Sequence, residues 1–225
     1  MNSLENEKKP IIGIIGGTGK EGKGLAYRWS MAGFQVNIGS RQLEKAVAAA
    51  QEVNQLVSVQ INGVLNDEAA ELSDIVVITV PFAAHHLVLT DLKTKLQGKI
   101  VIDVTVPLVP PKVTKVQMPP AGSAALEAVG ILGENVQVVS AFQNISYERL
   151  LHQKDIDCDV LVCGTSKEAR SVVLNLIEDA GLTGWDAGPI ENSMVVEGLT
   201  SILIGINKQF DSQTAGIKIT GINRV

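Results

Sequence analysis

Sulfur is nearly absent from this sequence. Its two cysteines, Cys158 and Cys163, fall in DCDVLVCG, whose alternating β-branched residues read as a buried strand. Two thiols with no second pair and no nearby His give too few ligands for a structural metal. Histidine is equally scarce. Of the three present, His85 and His86 are adjacent, cannot share a helix face, and stand in no HExxH arrangement, so metal catalysis is not expected. A surplus of positive charge is missing as well: 19 Lys and Arg against 24 Asp and Glu leave a net charge of −5. That excludes the broad basic surface that nucleic-acid binding requires. No apolar run approaches the roughly 18 residues of a membrane span. The polar start MNSLENEKKP has no signal-peptide core, so residues 1–9 are expected to be a flexible tail and the compartment cytoplasmic. There is no internal repeat and no low-complexity segment.

What is present is alternation. With 225 residues, 45% of them hydrophobic, the chain can bury a sizeable core. Short apolar runs at residues 10–15, 34–38, 57–64, 75–80, 100–104, 136–141 and 160–163 predict strands. Segments 19–32, 43–56, 83–96 and 167–180 carry apolar residues at three- and four-residue intervals and predict helices. Strands alternating with helices imply right-handed βαβ crossovers, hence a Rossmann-type doubly wound α/β fold with a mainly parallel sheet. Residues 105–120, TVPLVPPKVTKVQMPP, hold five of the eight prolines, which forbids a regular helix and disfavours a central strand. A long ordered loop or lid is expected there. Beyond Cys163 the sequence predicts a helix, a helix start at Pro189, an apolar helix face from Met194 through Ile206, and a last strand in AGIKITGI. Residues 10–164 are therefore expected to form the main Rossmann-type domain, and 165–225 a small C-terminal α/β lobe.

The stretch GIIGGTGKEGKG, residues 13–24, surrenders side chains at six of twelve positions. Within it Gly17, Gly19 and Gly22 fit GxGxxG directly after a strand and at the opening of a helix. The first glycine permits the tight turn, the second lets backbone approach a pyrophosphate, and the third lets helix and strand pack closely. The helix N–H groups then face the negative charge. Gly13, Gly16 and Gly24 suit close packing of strand and helix.

The end of the second strand selects the dinucleotide. Where an Asp or Glu would hold an NAD ribose, the chain reads NIGSRQLEK, with Ser40 and Arg41 at that point and Lys45 one helical turn on. A hydroxyl and two cations suit a 2′-phosphate, so NADP(H) is the expected cofactor; Ser40 can also cap the following helix.

Ligands of open α/β sheets bind beyond the carboxyl ends of the strands, which nominates TVPFAAHH, DVTVPL and SAFQNIS. None of these holds a Ser, His and Asp constellation with triad logic. His85, four residues past Pro81 and near a helix start, is the better placed histidine.

Beyond these signals, GGTGKEGKGLAYRW, IGSRQLEK, VPFAAHH, VIDVTVPLVPP, VVSAFQNIS, CDVLVCG, WDAGPIEN, VEGLTSILIGIN and AGIKITG together resemble the NADPH-dependent coenzyme F420 reductase family, in the family's order and over nearly the whole chain. The resemblance implies hydride transfer between NADP(H) and the deazaflavin coenzyme F420. It implies that Thr18, Gly19, Lys20 and Glu21, with Ser40, Arg41 and Lys45, hold the phosphates. Val80, His85, Val106 and Ala141 would border the nicotinamide, and Pro107, Gln143 and Ala215 the deazaflavin. Gln143 stands where family members commonly carry His, and an amide there can still hydrogen-bond a carbonyl or a pyrimidine edge. With the cofactors carrying the chemistry, no catalytic side chain is obligatory. Lys112, Lys115 and Lys218 are candidates to screen the coenzyme's anionic tail. Two other functions fit the same module: a sibling reductase acting on a flavin, metal chelate, carbonyl or imine, and a non-catalytic NADP(H) sensor. A homodimer is expected, with the Met194–Ile206 face contributing both to it and to the core between the two lobes.

Overall fold

The computed structural model describes residues 9–151 and 156–222. Most of the expected tail lies outside the described residues. Its last member, Lys9, donates to the Ala32 carbonyl at 2.6 Å and lies over the Phe34 ring.

Eight strands form one sheet in the order β3-β2-β1-β4-β5-β6-β7-β8. They are β1 (Ile12–Ile15), β2 (Val36–Ser40), β3 (Asn62–Leu65), β4 (Ile75–Ile78), β5 (Ile100–Asp103), β6 (Gln137–Ser140), β7 (Asp159–Gly164) and β8 (Thr183–Pro189). Neighbours pair in parallel except β6 with β7. Strands β1 and β4 read IGII and IVVI and are buried at every residue, as strands covered by helices on both faces must be.

The long helices are α1 (Lys20–Met31), α2 (Leu43–Asn54), α4 (Phe82–Leu92), α7 (Lys167–Asp179) and α8 (Ser193–Gln209); shorter ones are α3 (Asn66–Leu72), α5 (Ala124–Leu132) and α6 (Tyr147–Leu150). One apolar cluster joins Leu25 and Trp29 of α1, Val53 of α2 and Val173 and Ile177 of α7 to one face of the sheet. A second joins Ala69, Leu89 and Ala128, from α3, α4 and α5, to the other face. The chain is thus a doubly wound α/β protein of the Rossmann type. Serine caps start α5 and α7: Ser123 accepts from the Leu126 N–H at 2.9 Å and Ser166 from the Ala169 N–H at 3.1 Å.

Three details differ from expectation. The strand expected over 57–64 begins only at Asn62. Strand β8 is an addition, because TGWDAGP has no apolar alternation to announce it. The closing AGIKITGI is not a strand: beside β7 its backbone makes one bond, Asp159 N–H to the Ile217 carbonyl at 2.8 Å, and the Ile219 N–H goes to the Asp159 carboxylate at 2.7 Å. A side chain replaces the second ladder partner, so no ladder propagates. In the segment expected as a C-terminal lobe, α7 and β8 extend the common sheet, while α8 packs against α5 and the end of β7.

Candidate functional site

The strand order reverses between β1 and β4, and the crevice beyond their carboxyl ends is where an open α/β sheet takes a ligand. The glycine turn forms one wall. Gly16 has φ +70°, and a Cβ there would stand 2.6 Å from a Val80 methyl. A Cβ at Gly22 would stand 2.5 Å from Gly17 Cα, so turn and helix touch backbone to backbone. At Gly19 a Cβ would meet nothing within 4 Å, and this N-cap of α1 brings no side chain to the first-turn N–H groups. The helix therefore opens uncapped onto free space, with N–H groups that lack intrahelical partners.

Beside the turn lies a cavity of about 190 Å³ lined by Thr18, Ser40, Arg41, Lys45, Asn66 and Val80, among others. Arg41 and Lys45 are exposed. The buried Ser40 accepts from the Gln42 N–H at 3.2 Å rather than capping deeper into α2. Among the described residues neither cation is held in a salt bridge. The cavity thus carries two positive charges on its rim that no salt bridge among the described residues neutralises.

Val80 and Pro81 also border a larger cleft of about 600 Å³. Its walls are mainly apolar, including Val106, Leu108, Phe142 and Leu203, and its polar members include Glu21, Gln143 and Asn144. The residue leading into Gln143, Phe142, holds φ at +74°, a left-handed conformation that a large side chain adopts only when its surroundings enforce it. Here Phe142 is anchored edge-on against Trp29, centroids 5.7 Å apart. Ala215 reaches the rim because the Asn207 side-chain oxygen Oδ1 accepts its N–H at 3.0 Å and the Ser146 hydroxyl donates to the Gln213 main-chain carbonyl, two residues earlier, at 2.7 Å.

Of the residues named from sequence, Glu21, Val80, Val106, Gln143 and Ala215 line this cleft, while Thr18, Ser40, Arg41 and Lys45 line the smaller cavity. Ala141 and Pro107 are buried and do not line the cleft. The Lys20 ammonium is 3.3 Å from both the Tyr147 hydroxyl and the Glu148 carboxylate, bridging α1 to α6. Lys112 and Lys115 are exposed on the proline-rich loop, and Lys218 pairs with Asp157 away from the cleft.

His85 does not line the cleft. Its imidazole is wholly buried, with Nε2 2.7 Å from Asp103 Oδ2 and Nδ1 3.4 Å from Glu127 Oε1. Burial pushes its pKa down, but the hydrogen bond and charge of Asp103, then those of Glu127, outweigh this and raise it. Asp103 Oδ1 accepts the Thr105 N–H at 3.0 Å, so the ion pair braces the backbone of the cleft floor. Burial raises the carboxyl pKa of Glu21 to about 8. The same cause raises Glu197 to about 8, against the N–H groups of Ala124 and Ala125 that it accepts at 2.7 and 3.1 Å. Among the described residues no group of His, Cys, Asp or Glu could hold a metal ion.

Asn144, Thr200 and Asn207 also line the cleft and were missed from the sequence. Asn144 adjoins Gln143 in SAFQNIS, and Thr200 and Asn207 lie seven residues apart on one face of α8; that spacing was the available signal.

Comparison with known proteins follows the same line. Residues 11–107 match the family model described as NADP oxidoreductase coenzyme F420-dependent. The F420-dependent NADP reductase of Methanocaldococcus jannaschii is 38% identical over 222 residues, 94% of this chain and 98% of that protein. Its namesake from Methanothermobacter marburgensis is 36% identical over 220 residues, again 94% and 98%. A weaker likeness, 27% over 194 residues, covers 86% of this chain and 37% of the rat metalloreductase STEAP3. Among solved structures, a candidate F420-dependent NADP reductase from Arthrobacter sp. FB24 superposes with a TM-score of 0.78 at 22% identity, covering 94% of this chain and 100% of that one. The NADP-bound pyrroline carboxylate reductase of Plasmodium falciparum does so with 0.60 at 15%, covering 91% and 66%. These two likenesses speak to fold alone.

Proposed function

The chain belongs to the family of coenzyme F420-dependent NADP oxidoreductases, and from that premise we propose how its own residues serve the reaction. It transfers hydride between NADP(H) and the deazaflavin coenzyme F420. The residues fit both partners. The uncapped start of α1 and the open space at Gly19 suit a pyrophosphate. Ser40, Arg41 and Lys45 suit a 2′-phosphate, since a guanidinium pairs bidentately with phosphate and Lys adds a point charge. The single observation that supports this reading best is continuity: Val80 and Pro81 border both the cation-lined cavity and the cleft. One elongated cofactor can therefore leave its phosphates at the turn and its ring in the cleft.

When bound, the two cofactors would supply the chemistry, a hydride exchanged in either direction between nicotinamide and deazaflavin, with one proton gained by the deazaflavin on reduction and lost on oxidation. The protein's part is to orient and to exclude water. Apolar side chains from four segments, Val80, Val106, Phe142 and Leu203, enclose the space in which two flat rings can lie together. The proton that accompanies the hydride on the deazaflavin can come from solvent, since the cleft is open to it, so no side chain is required to relay it. The C-terminal region 165–225 acts in this reading as the lobe that closes the deazaflavin side, through Thr200, Leu203, Asn207 and Ala215.

The protein also acts as a homodimer in the cytoplasm. Exposed Val195, Ile202, Ile206 and Phe210 recur at seven- and four-residue intervals on α8, the spacing of one helix face, and a second copy would cover them. No helix among the described residues is long and apolar enough to cross a membrane. Mixing the protein with NADPH and F420 should bleach the deazaflavin's visible band. Absence of turnover, with turnover of a ferric chelate instead, would move the assignment to the metal-reducing sibling that the STEAP3 likeness favours.

A further inference from the structure

Five buried side-chain polar atoms among the described residues lack a hydrogen-bond partner, and four belong to residues lining the cleft: Glu21 Oε1, Thr105 Oγ1, Gln143 Oε1 and Asn144 Oδ1. A hydroxyl can turn to give or receive, and a protonated carboxyl can do the same. The two amides cannot, because their nitrogens are already committed. Gln143 Nε2 donates to the Asp103 carbonyl at 2.7 Å and to Ser140 Oγ at 2.9 Å. Asn144 Nδ2 donates to the Val196 main-chain carbonyl at 2.9 Å and faces Thr200 Oγ1 at 3.4 Å, while that hydroxyl donates onward to the main-chain carbonyl of Gln143 at 2.8 Å. Backbone carbonyls only accept, so neither amide can be reversed without placing oxygen against oxygen.

Both side-chain carbonyls are thus acceptors locked in place, on side chains of which 5% and 4% are exposed. An unsatisfied buried acceptor is costly and rare in folded proteins, and each one calls for an explanation. Phe142, held at φ +74°, is the turn that delivers both side chains to this position.

We propose that Gln143 and Asn144 form an acceptor pair that reads amide-type N–H groups on the ring bound in the cleft. The inference rests on the functional reading above and deepens it. An amide at position 143 presents its oxygen, so it receives a hydrogen bond from the ligand and cannot grip a ligand carbonyl. Two sources carry this donor chemistry: the primary carboxamide of the nicotinamide, and the pyrimidine N–H of the deazaflavin.

The test uses equilibrium binding, which needs no turnover. For the first source, the Kd of oxidised NADP is compared with that of its acetylpyridine analogue, whose methyl ketone keeps the carbonyl and lacks both N–H groups. The thionicotinamide analogue, which keeps them, is the control. For the second, F420 is compared with a deazaflavin methylated on the pyrimidine nitrogen. Loss of the N–H at the source that meets the pair should weaken binding roughly ten- to a hundredfold. In Gln143→Ala and Asn144→Ala the parent ligand should bind more weakly and that ratio should shrink towards one. If wild-type protein binds both N–H-lacking ligands as tightly as their parents, the proposal is wrong. It is equally wrong if discrimination persists unchanged in folded variants. Should NADPH fail to reduce F420 while N–H discrimination is found, the functional reading falls and the acceptor pair stands.

Discussion

At the proposed phosphate end of the groove the surface consists of backbone and exposed cations: an uncapped helix start, glycines packed without side chains, and Arg41 and Lys45 in solvent. At the ring end it consists of buried side chains whose orientation other parts of the chain dictate. Gln143 is held by Asp103 and Ser140, Asn144 by Val196 and Thr200, and the floor beneath them is braced by the His85–Asp103 pair. The phosphate end works through groups that every peptide owns, added to local charge. The ring end works through tertiary contacts between residues far apart in sequence. Disturbing the first should alter affinity while the fold survives, unless backbone packing itself is attacked; disturbing the second should alter stability and ligand discrimination together.

The largest effect is expected where backbone meets backbone. In Gly22→Val the new side chain would begin 2.5 Å from Gly17 Cα, so the turn must open and NADP(H) binding should fall below detection by titration. Retained binding would show that the phosphate site does not depend on the close turn. Next comes the brace of the ring end. His85→Ala strands the wholly buried Asp103 without its cationic partner, an effect of about 3–5 kcal/mol that denaturant unfolding should register. An unchanged midpoint would remove the distinction drawn between the two ends.

Arg41→Ala makes the contrast sharper. NADP(H) affinity should drop roughly ten- to a hundredfold, as for loss of charge-assisted hydrogen bonds, with NAD(H) affinity and unfolding nearly unaffected. Equal losses for both dinucleotides would mean that Arg41 does not read the 2′-phosphate.

The last effect is a slope rather than a step. Burial lifts the Glu21 and Glu197 carboxyls from 4.5 to about 8. Between those values the unfolded chain has released protons that the folded chain still holds, so stability should fall as pH rises from about 4.5 to about 8. The raised His85 acts in the same direction: its contribution is complete below its ordinary 6.5 and is lost as pH climbs above it. Thermal melts of Glu21→Gln across this range should show a shallower decline than wild type. An identical profile would mean that Glu21 titrates as an ordinary exposed carboxyl.

The two ends also differ in how far the sequence exposes them. The glycine turn, Ser40, Arg41 and Lys45 are legible because each works through its own backbone or its own charge, within one βαβ unit. Strands such as IVVI and helices such as α7 are legible for a similar reason, since their periodicity is local. Strand β8 escapes because TGWDAGP joins the sheet only through pairing with β7. The closing AGIKITGI misleads in the opposite sense: it has a strand's alternation, but Asp159 takes with its carboxylate the N–H that a neighbouring strand would have taken. His85 is visible as a histidine near a helix start. Its burial is not, because Asp103 and Glu127 come from β5 and α5.

By itself, then, the sequence determined a doubly wound α/β protein with a glycine turn after its first strand and a pair of cations after its second, since helix periodicity, glycine sterics and fixed charge act over a few residues. Only the tertiary structure decided what faces the ring. Whether an amide offers its nitrogen or its oxygen depends on which carbonyl stands behind it, and for Gln143 and Asn144 those carbonyls belong to Asp103 and Val196 on distant elements.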